Sequence, residues 1–164
     1  NFRVFKDGAD QLGISDIELP SLEYMTETIS GAGVSGEIDA PVMGQFASMG
    51  VTLNWRTVTK SQLQLLAPGA HHLDCRGAIQ LHDAGSGEMR PAACKVVIRG
   101  RTKTAELGKF EAATTMDASS ELEVEYLKLT LDGETVIELD KLNYICNIGG
   151  TDYMAGIRAA LGLA

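Results

Sequence analysis

Several residue types that mark function classes are scarce in this chain of 164 residues. Its three cysteines, Cys75, Cys94 and Cys146, contain no CxxC pair and leave one thiol over. That excludes a disulfide framework or thiolate zinc site as the organising principle, and suits buried free thiols in a reducing compartment. No apolar run reaches the roughly 18 residues that a membrane span needs, and Asn1–Gly8 reads as strand and turn rather than signal peptide. Basic residues are also few: 14 Lys and Arg stand against 22 Asp and Glu, a formal charge of −8. That sign repels a phosphate backbone and argues against stable nucleic-acid binding. What remains, 45% hydrophobic and 22% charged residues, is the composition of a soluble, folded, acidic chain. Its length suits one domain over residues 1–164.

The apolar periodicity is that of strands. Leu73, Cys75, Gly77, Ile79 and Leu81 alternate with Asp74, Arg76, Gln80 and His82; Val51, Leu53, Trp55 and Thr57 alternate with Thr52, Asn54 and Arg56. Cys94, Val96, Ile98 and Gly100 alternate with Lys95, Val97, Arg99 and Arg101, so a third strand carries a mostly basic outer face. In Glu121–Leu131 the glutamates 121, 123 and 125 share a parity with leucines 127, 129 and 131. The covered face is therefore expected to change sides near Tyr126. Asp132-Gly133 signals a tight hairpin into Glu134–Asp140, and Asp7-Gly8 a looser one between Asn1–Lys6 and Leu12–Leu19. Helix signals are few. Thr59 caps an expected short helix to Leu66, near 59–66, ended by Pro68-Gly69, and Thr151 caps one near 152–161 with Tyr153, Ile157 and Leu161 as its apolar stripe. The expected fold is mainly β, an antiparallel sandwich or barrel with two peripheral helices.

Gly31–Gly50 stands apart, with five glycines and a proline interspersed with Val34, Ile38, Val42, Met43 and Phe46. Read as a loop of about 20 residues, it is too long to be idle and too apolar to lie in water, so a partner surface is expected to cover it. Its Gly31-Ala32-Gly33-Val34-Ser35-Gly36 matches GxGxxG, but Pro41 follows where a phosphate-binding helix should begin, so no dinucleotide site is expected. His71 and His72 point to opposite faces of a strand and Cys75 belongs to the apolar face, which argues against a metal site. His82 has no nucleophile arranged with it, and the single Trp55 is expected in the core. No catalytic, cofactor or metal residues are assigned. The basic stripe Lys95, Arg99, Arg101 and Lys103 and the acidic stripe Glu121, Glu123 and Glu125 are expected to neutralise each other across neighbouring strands.

In order along the chain, Asn1–Gly8, Ile17–Leu22, Ile38-Asp39-Ala40-Pro41-Val42, Val97–Arg101, Tyr126–Gly133 and Asn147–Leu163 resemble the major tail tube protein of contractile-tailed bacteriophages and R-type bacteriocin (tailocin) particles. The resemblance implies a tail-tube β-sandwich that forms hexameric rings stacked into a tube, driven through a target envelope and conducting DNA or ions. Implied partners are further copies of the chain, a contractile sheath protein, baseplate or initiator and terminator proteins, and a tape-measure protein. DNA would be a transient passenger, and stable membrane binding is not implied. Assembly would occur in the host bacterial cytoplasm, ending in a virion or tailocin tail. Ring contacts would fall on Gly33, Val34, Ile38, Asp39, Pro41, Val42, Gln45 and Phe46 of the 31–50 stretch. Lumen candidates are Glu23, Glu27, Thr52, Asn54, Glu121, Glu123 and Glu125, on the polar faces of Leu22–Ile29, Met49–Thr57, Cys94–Thr104 and Glu121–Leu129. Two alternatives stay open: a tube protein of a type VI or extracellular contractile injection system, and a monomeric ligand-binding β-barrel.

Overall fold

A computed structural model describes residues 1–10 and 13–163. Strands β1 (Phe2–Lys6), β2 (Ala9–Asp10), β3 (Ile14–Glu18), β4 (Tyr24–Ser30), β5 (Glu37–Phe46) and β6 (Gly50–Trp55) lead into α1 (Lys60–Gln64). β7 (His71–His82), β8 (Met89–Glu106), β9 (Ala118–Leu131), β10 (Glu134–Asp140), β11 (Ile145–Ile148), β12 (Thr151–Asp152) and α2 (Ala155–Ala160) follow. Ten strands form one antiparallel sheet, β12-β11-β10-β9-β8-β7-β1-β2, with β6 and then β3 joined to the first half of β9; β4 and β5 form a separate ribbon. The expected mainly β architecture with short helices is what the chain adopts.

The core is the set of strand faces read from the sequence. Val51, Leu53 and Trp55 of β6, Leu73 and Cys75 of β7, Val96 and Ile98 of β8, and Leu122, Val124 and Leu127 of β9 meet in one buried cluster. Trp55 is only 1% exposed. α1 closes one end of this cluster. The Thr59 hydroxyl accepts from the Gln62 amide at 3.1 Å, and the buried Gln62 side chain donates to the carbonyls of Glu106 and Ser119 at 3.1 Å each. Asp132 and Gly133 lie at φ of 51° and 84°, the left-handed pair that a two-residue hairpin demands.

The structure departs from the sequence expectation at six places. The parity change near Tyr126 is a bulge: Val124 pairs with Gly100 and Tyr126 with Arg99, leaving Glu125 as an extra residue. The bulge returns Leu127 to the side already held by Leu122 and Val124, so one face stays covered throughout. A Cβ on Gly100 would lie 2.3 Å from the Glu123 carbonyl oxygen, so the close strand approach there requires glycine. The Asp7-Gly8 turn is tight, not loose: both residues have positive φ and Lys6 pairs directly with Ala9, while residue 12, the expected start of the second strand, lies outside the described residues.

Ile79 and Leu81 do not extend the β7 apolar face into the core; both are exposed, because the β7–β8 hairpin runs on past the cluster. The stretch 31–50 is not one loop, since β5 occupies 37–46. Pro41 is tolerated there because β5 pairs on one side only, and proline is accepted on such edge strands. Residues 22 and 23 precede β4, which starts at Tyr24. At the C-terminus Thr151 and Asp152 pair with β11, so the helix begins only at Ala155 without a side-chain cap. Its stripe of Tyr153, Ile157 and Leu161 is exposed, because α2 is too short to fold that face back onto the cluster.

Candidate assembly surfaces

Two surfaces stand out. The first is the β4–β5 ribbon, with Ile29 opposite Ile38, Thr28 opposite Asp39, Glu27 opposite Ala40 and Thr26 opposite Pro41. The Thr28 hydroxyl donates to Asp39 at 2.9 Å. Every residue of β4 is exposed, and Ile38 and Met43 of β5 are 53% and 60% exposed. Alternation puts Ile29 and Ile38 on one side, but no layer of this chain lies against them. Gly31–Gly36 forms the tip, with Gly31, Gly33 and Gly36 all at positive φ and the Val34 amide donating to the Gly31 carbonyl at 3.1 Å. The GxGxxG pattern therefore serves a strand-to-strand turn, and the half-buried Val34 sits within it.

The base of the ribbon is fixed. Phe46 stacks on Tyr24 with centroids 4.6 Å apart, and it packs against the core cluster. Residues 42–45 bulge out between the Tyr24–Phe46 and Thr26–Pro41 pairs. In this bulge Gly44 has φ of 74°, and a Cβ there would meet the Met154 Sδ at 2.2 Å, so ribbon and C-terminal segment interlock through a missing side chain. Of the residues assigned to ring contacts, Gly33, Ile38, Asp39, Pro41 and Gln45 are exposed, Val34 and Val42 are half-buried, and Phe46 already has its partner within the chain. The reading missed Met25 and Ile29, which give β4 its own exposed apolar side chains; their alternation with Thr26 and Thr28 was the available signal.

The second surface is the outer, polar face of the sheet. Thr52 lies between Glu18 of β3 and Glu121 of β9, and Asn54 pairs with Asp16, donating to its carboxylate at 2.5 Å. Thr52, Asn54, Glu121, Glu123 and Glu125 thus share one face. Glu23 and Glu27 lie elsewhere, Glu27 on the ribbon and Glu23 just before it, its carbonyl accepting from the Ala47 amide at 2.8 Å. The four cations of β8 do face the same way, but they are divided. Arg101 pairs with Glu125 at 2.8 Å, and Lys103 with Glu121 and Glu123 at 3.4 and 3.5 Å. Lys95 goes to Asp74 at 3.5 Å and Arg99 to Asp140 at 3.4 Å. Only half of the basic stripe therefore neutralises the glutamates of β9.

The cluster sets its own protonation. Partial burial works against the charged form of Glu123, yet the Ser48 hydroxyl at 2.7–2.8 Å and the nearby Lys103 ammonium hold its carboxyl below the usual range. The same glutamates raise the pKa of Lys103. Around β3, β6 and the first half of β9, Asp16, Glu18, Glu121, Glu123 and Glu125 outnumber Arg101 and Lys103, so that end of the face carries surplus carboxylates, while Lys95 and Arg99 lie further along with Asp74 and Asp140. Further along, burial, then the hydrogen bond to Glu138, pushes the Tyr126 phenol up to about 12, while Arg99 lies over its ring at 5.4 Å.

Thiol and imidazole chemistry is muted. Burial pushes Cys75 up to about 12, with Asp74 adding to it, so little thiolate is present at neutral pH. His71 is buried with Nε2 2.9 Å from the Ala67 carbonyl oxygen, and among the described residues no three His, Cys, Asp or Glu side chains converge as a metal site.

The family model described as phage tail tube protein FII matches residues 1–162. The tail tube protein of Escherichia phage P2 is 26% identical, over 98% of this chain and 94% of that protein. The major tail tube protein of Serratia phage KSP20 is 22% identical, over 99% and 94% respectively. Among solved structures, the sheath/tube terminator of the extracellular contractile injection system PVC, in its extended state, has a TM-score of 0.54 at 13% identity. That alignment covers 79% of this chain and 93% of the other, a likeness of fold.

Proposed function

The chain belongs to the phage tail tube protein FII family, and from that membership we propose that its copies close into hexameric rings stacked into the inner tube of a contractile tail. The protein is a structural component of the virion tail. In this reading it catalyses nothing, is assembled in the host cytoplasm, and serves as a conduit driven through the target envelope when a surrounding sheath shortens. Its partners are other copies, the sheath protein, initiator and terminator proteins at the tube ends, and a tape-measure protein within.

The observation that carries the proposal is the ribbon. A two-stranded antiparallel pair has marginal stability alone in water, and this one leaves Met25, Ile29, Ile38 and Met43 exposed on a chain that has a well-filled core elsewhere. A neighbouring copy supplies the missing layer, with Gly33, Val34, Ile38, Asp39, Pro41, Val42 and Gln45 at the contact. Joining strands between copies also removes the open sheet edges that would otherwise template uncontrolled aggregation. The polar face of β3, β6 and β9 is assigned to the lumen, where surplus carboxylates repel phosphates and let DNA slide rather than stick.

Negative-stain electron microscopy of the purified protein over a concentration series tests this directly. Six-fold rings or hollow tubes are expected. A monomer at every concentration, also when seeded with preformed tail ends, would overturn the tube and leave the ligand-binding barrel.

A further inference from the structure

Phe110 is 94% exposed, more than any other large apolar side chain among the described residues. It is displayed rather than loose. The loop between β8 and β9 is clamped by the Lys109 amide to the Met116 carbonyl at 2.9 Å and the Met116 amide to the Arg56 carbonyl at 3.0 Å. Gly108, at φ of 80°, allows the closure: a Cβ there would lie 2.0 Å from the Met116 carbonyl oxygen. The clamp fixes the backbone beside the ring, so less chain freedom is lost when it binds, which is the economy of a preformed knob.

A hole of matching chemistry lies at the base of the ribbon. The cavity there has a volume of about 220 Å³, and its lining includes Met25, Phe46, Met49, Leu139 and Met154. An apolar cavity of about 150 Å³ suffices for a benzene-sized ring, so this one admits a phenyl group. Methionines fit their shape to an incoming ring and make favourable sulfur–aromatic contacts. Fit rather than charge carries the match: Glu111 beside the knob is already paired with Lys109 at 2.6 Å, and the hole carries both Asp140 and Lys141, the latter donating to the Ala47 carbonyl at 2.7 Å.

Knob and hole cannot meet within one copy. Met49 precedes β6 and lines the hole, whereas Arg56 follows β6 and clamps the knob loop. Six strand residues at about 3.3 Å each separate them by roughly 20 Å. Two different patches at opposite ends of a subunit make a heterologous contact, which repeats from copy to copy instead of closing on a two-fold axis. We infer that Phe110 of one copy inserts into the cavity at the ribbon base of the next. This contact rests on the tube reading and adds to it the residues that lock consecutive copies.

The test mixes Ala112→Cys protein with Leu142→Cys protein, both exposed positions outside the ring contact and the cavity lining, and treats the assemblies with a short bismaleimide. Cys75 and Cys146 are buried and Cys94 is half-buried, so the new thiols dominate the reaction. A covalent dimer is expected in the mixture and in neither protein alone, and it disappears when Phe110→Ala is added. Phe110→Ala by itself raises the concentration needed for assembly at least ten-fold without moving the monomer's Tm. Rings or tubes that give no cross-link, with Phe110→Ala assembling at the parent concentration, overturn the inference and leave the tube standing. Failure of the parent to assemble at all overturns both.

Discussion

The β8–β9 pair and the β4–β5 ribbon are built from the same materials and end in opposite circumstances. Both are antiparallel, both alternate apolar and polar residues, and both contain a bulge. In β8–β9 the apolar positions Val96, Ile98, Leu122, Val124 and Leu127 are covered by β6, β7, α1 and the C-terminal strands, and each such side chain contributes about 1.5–3 kcal/mol. In the ribbon Ile29 and Ile38 face one another across the strands with nothing over them. Periodicity therefore states that a face is to be covered, but not by which chain. In the tube proposed here, one pair stabilises the subunit and the other awaits a neighbour.

Four measurements break or sharpen the contrast. The largest effect is expected from Gly100→Val, whose Cβ would collide with the Glu123 carbonyl at the bulge. It should cost the subunit about 3–5 kcal/mol by urea unfolding, and a loss under about 1 kcal/mol would mean that the two strands can part there cheaply. Next, Ile98→Ala should cost about 2–5 kcal/mol, whereas Ile38→Asp should leave subunit stability within about 0.5 kcal/mol yet block assembly in sedimentation. Equal stability losses at both positions would erase the distinction between core pair and ribbon. Phe46 does not belong in that test, because its stacking on Tyr24 makes its removal a change to the ribbon's anchor.

Smaller still, Arg101→Ala removes an exposed pair with Glu125 and should change stability by only about 0.2–1 kcal/mol, less at high salt. A larger loss in the monomer would make the polar face structural rather than a surface for the lumen. The last effect concerns pH. The hydrogen-bonded Arg158 guanidinium first, then the Met154 and Cys146 amides, hold the Asp152 carboxyl below its ordinary value. A depressed carboxyl stabilises the fold fully above its unfolded pKa near 3.9, and that contribution is lost as pH falls further through the lower folded value. Acid should therefore loosen the α2 segment, seen as faster amide exchange, and Asp152→Asn should flatten that dependence. An unchanged pH profile in the variant would assign the loosening to another carboxylate.

Local chemistry alone determined a good deal of this protein. Asp132-Gly133 makes its turn because few other pairs accept two positive φ values in succession, and Thr59 caps α1 because a β-region hydroxyl reaches a free amide. Val51, Leu53 and Trp55 reach the core because a strand alternates its faces, and the resemblance running from Asn1 to Leu163 already points to the family. Tertiary structure decided what depends on distant residues. The Glu125 bulge exists because β9 must keep one face against the core while its edge partner changes from β6 to β10. The split of the β8 cations depends on Asp74 and Asp140, which arrive from other strands. Whether Ile38 and Ile157 were core or surface was likewise invisible locally, because alternation and helical spacing are properties of neighbours along the chain. Burial is a property of whatever arrives from elsewhere, and at the ribbon that is another copy in the tube proposed here.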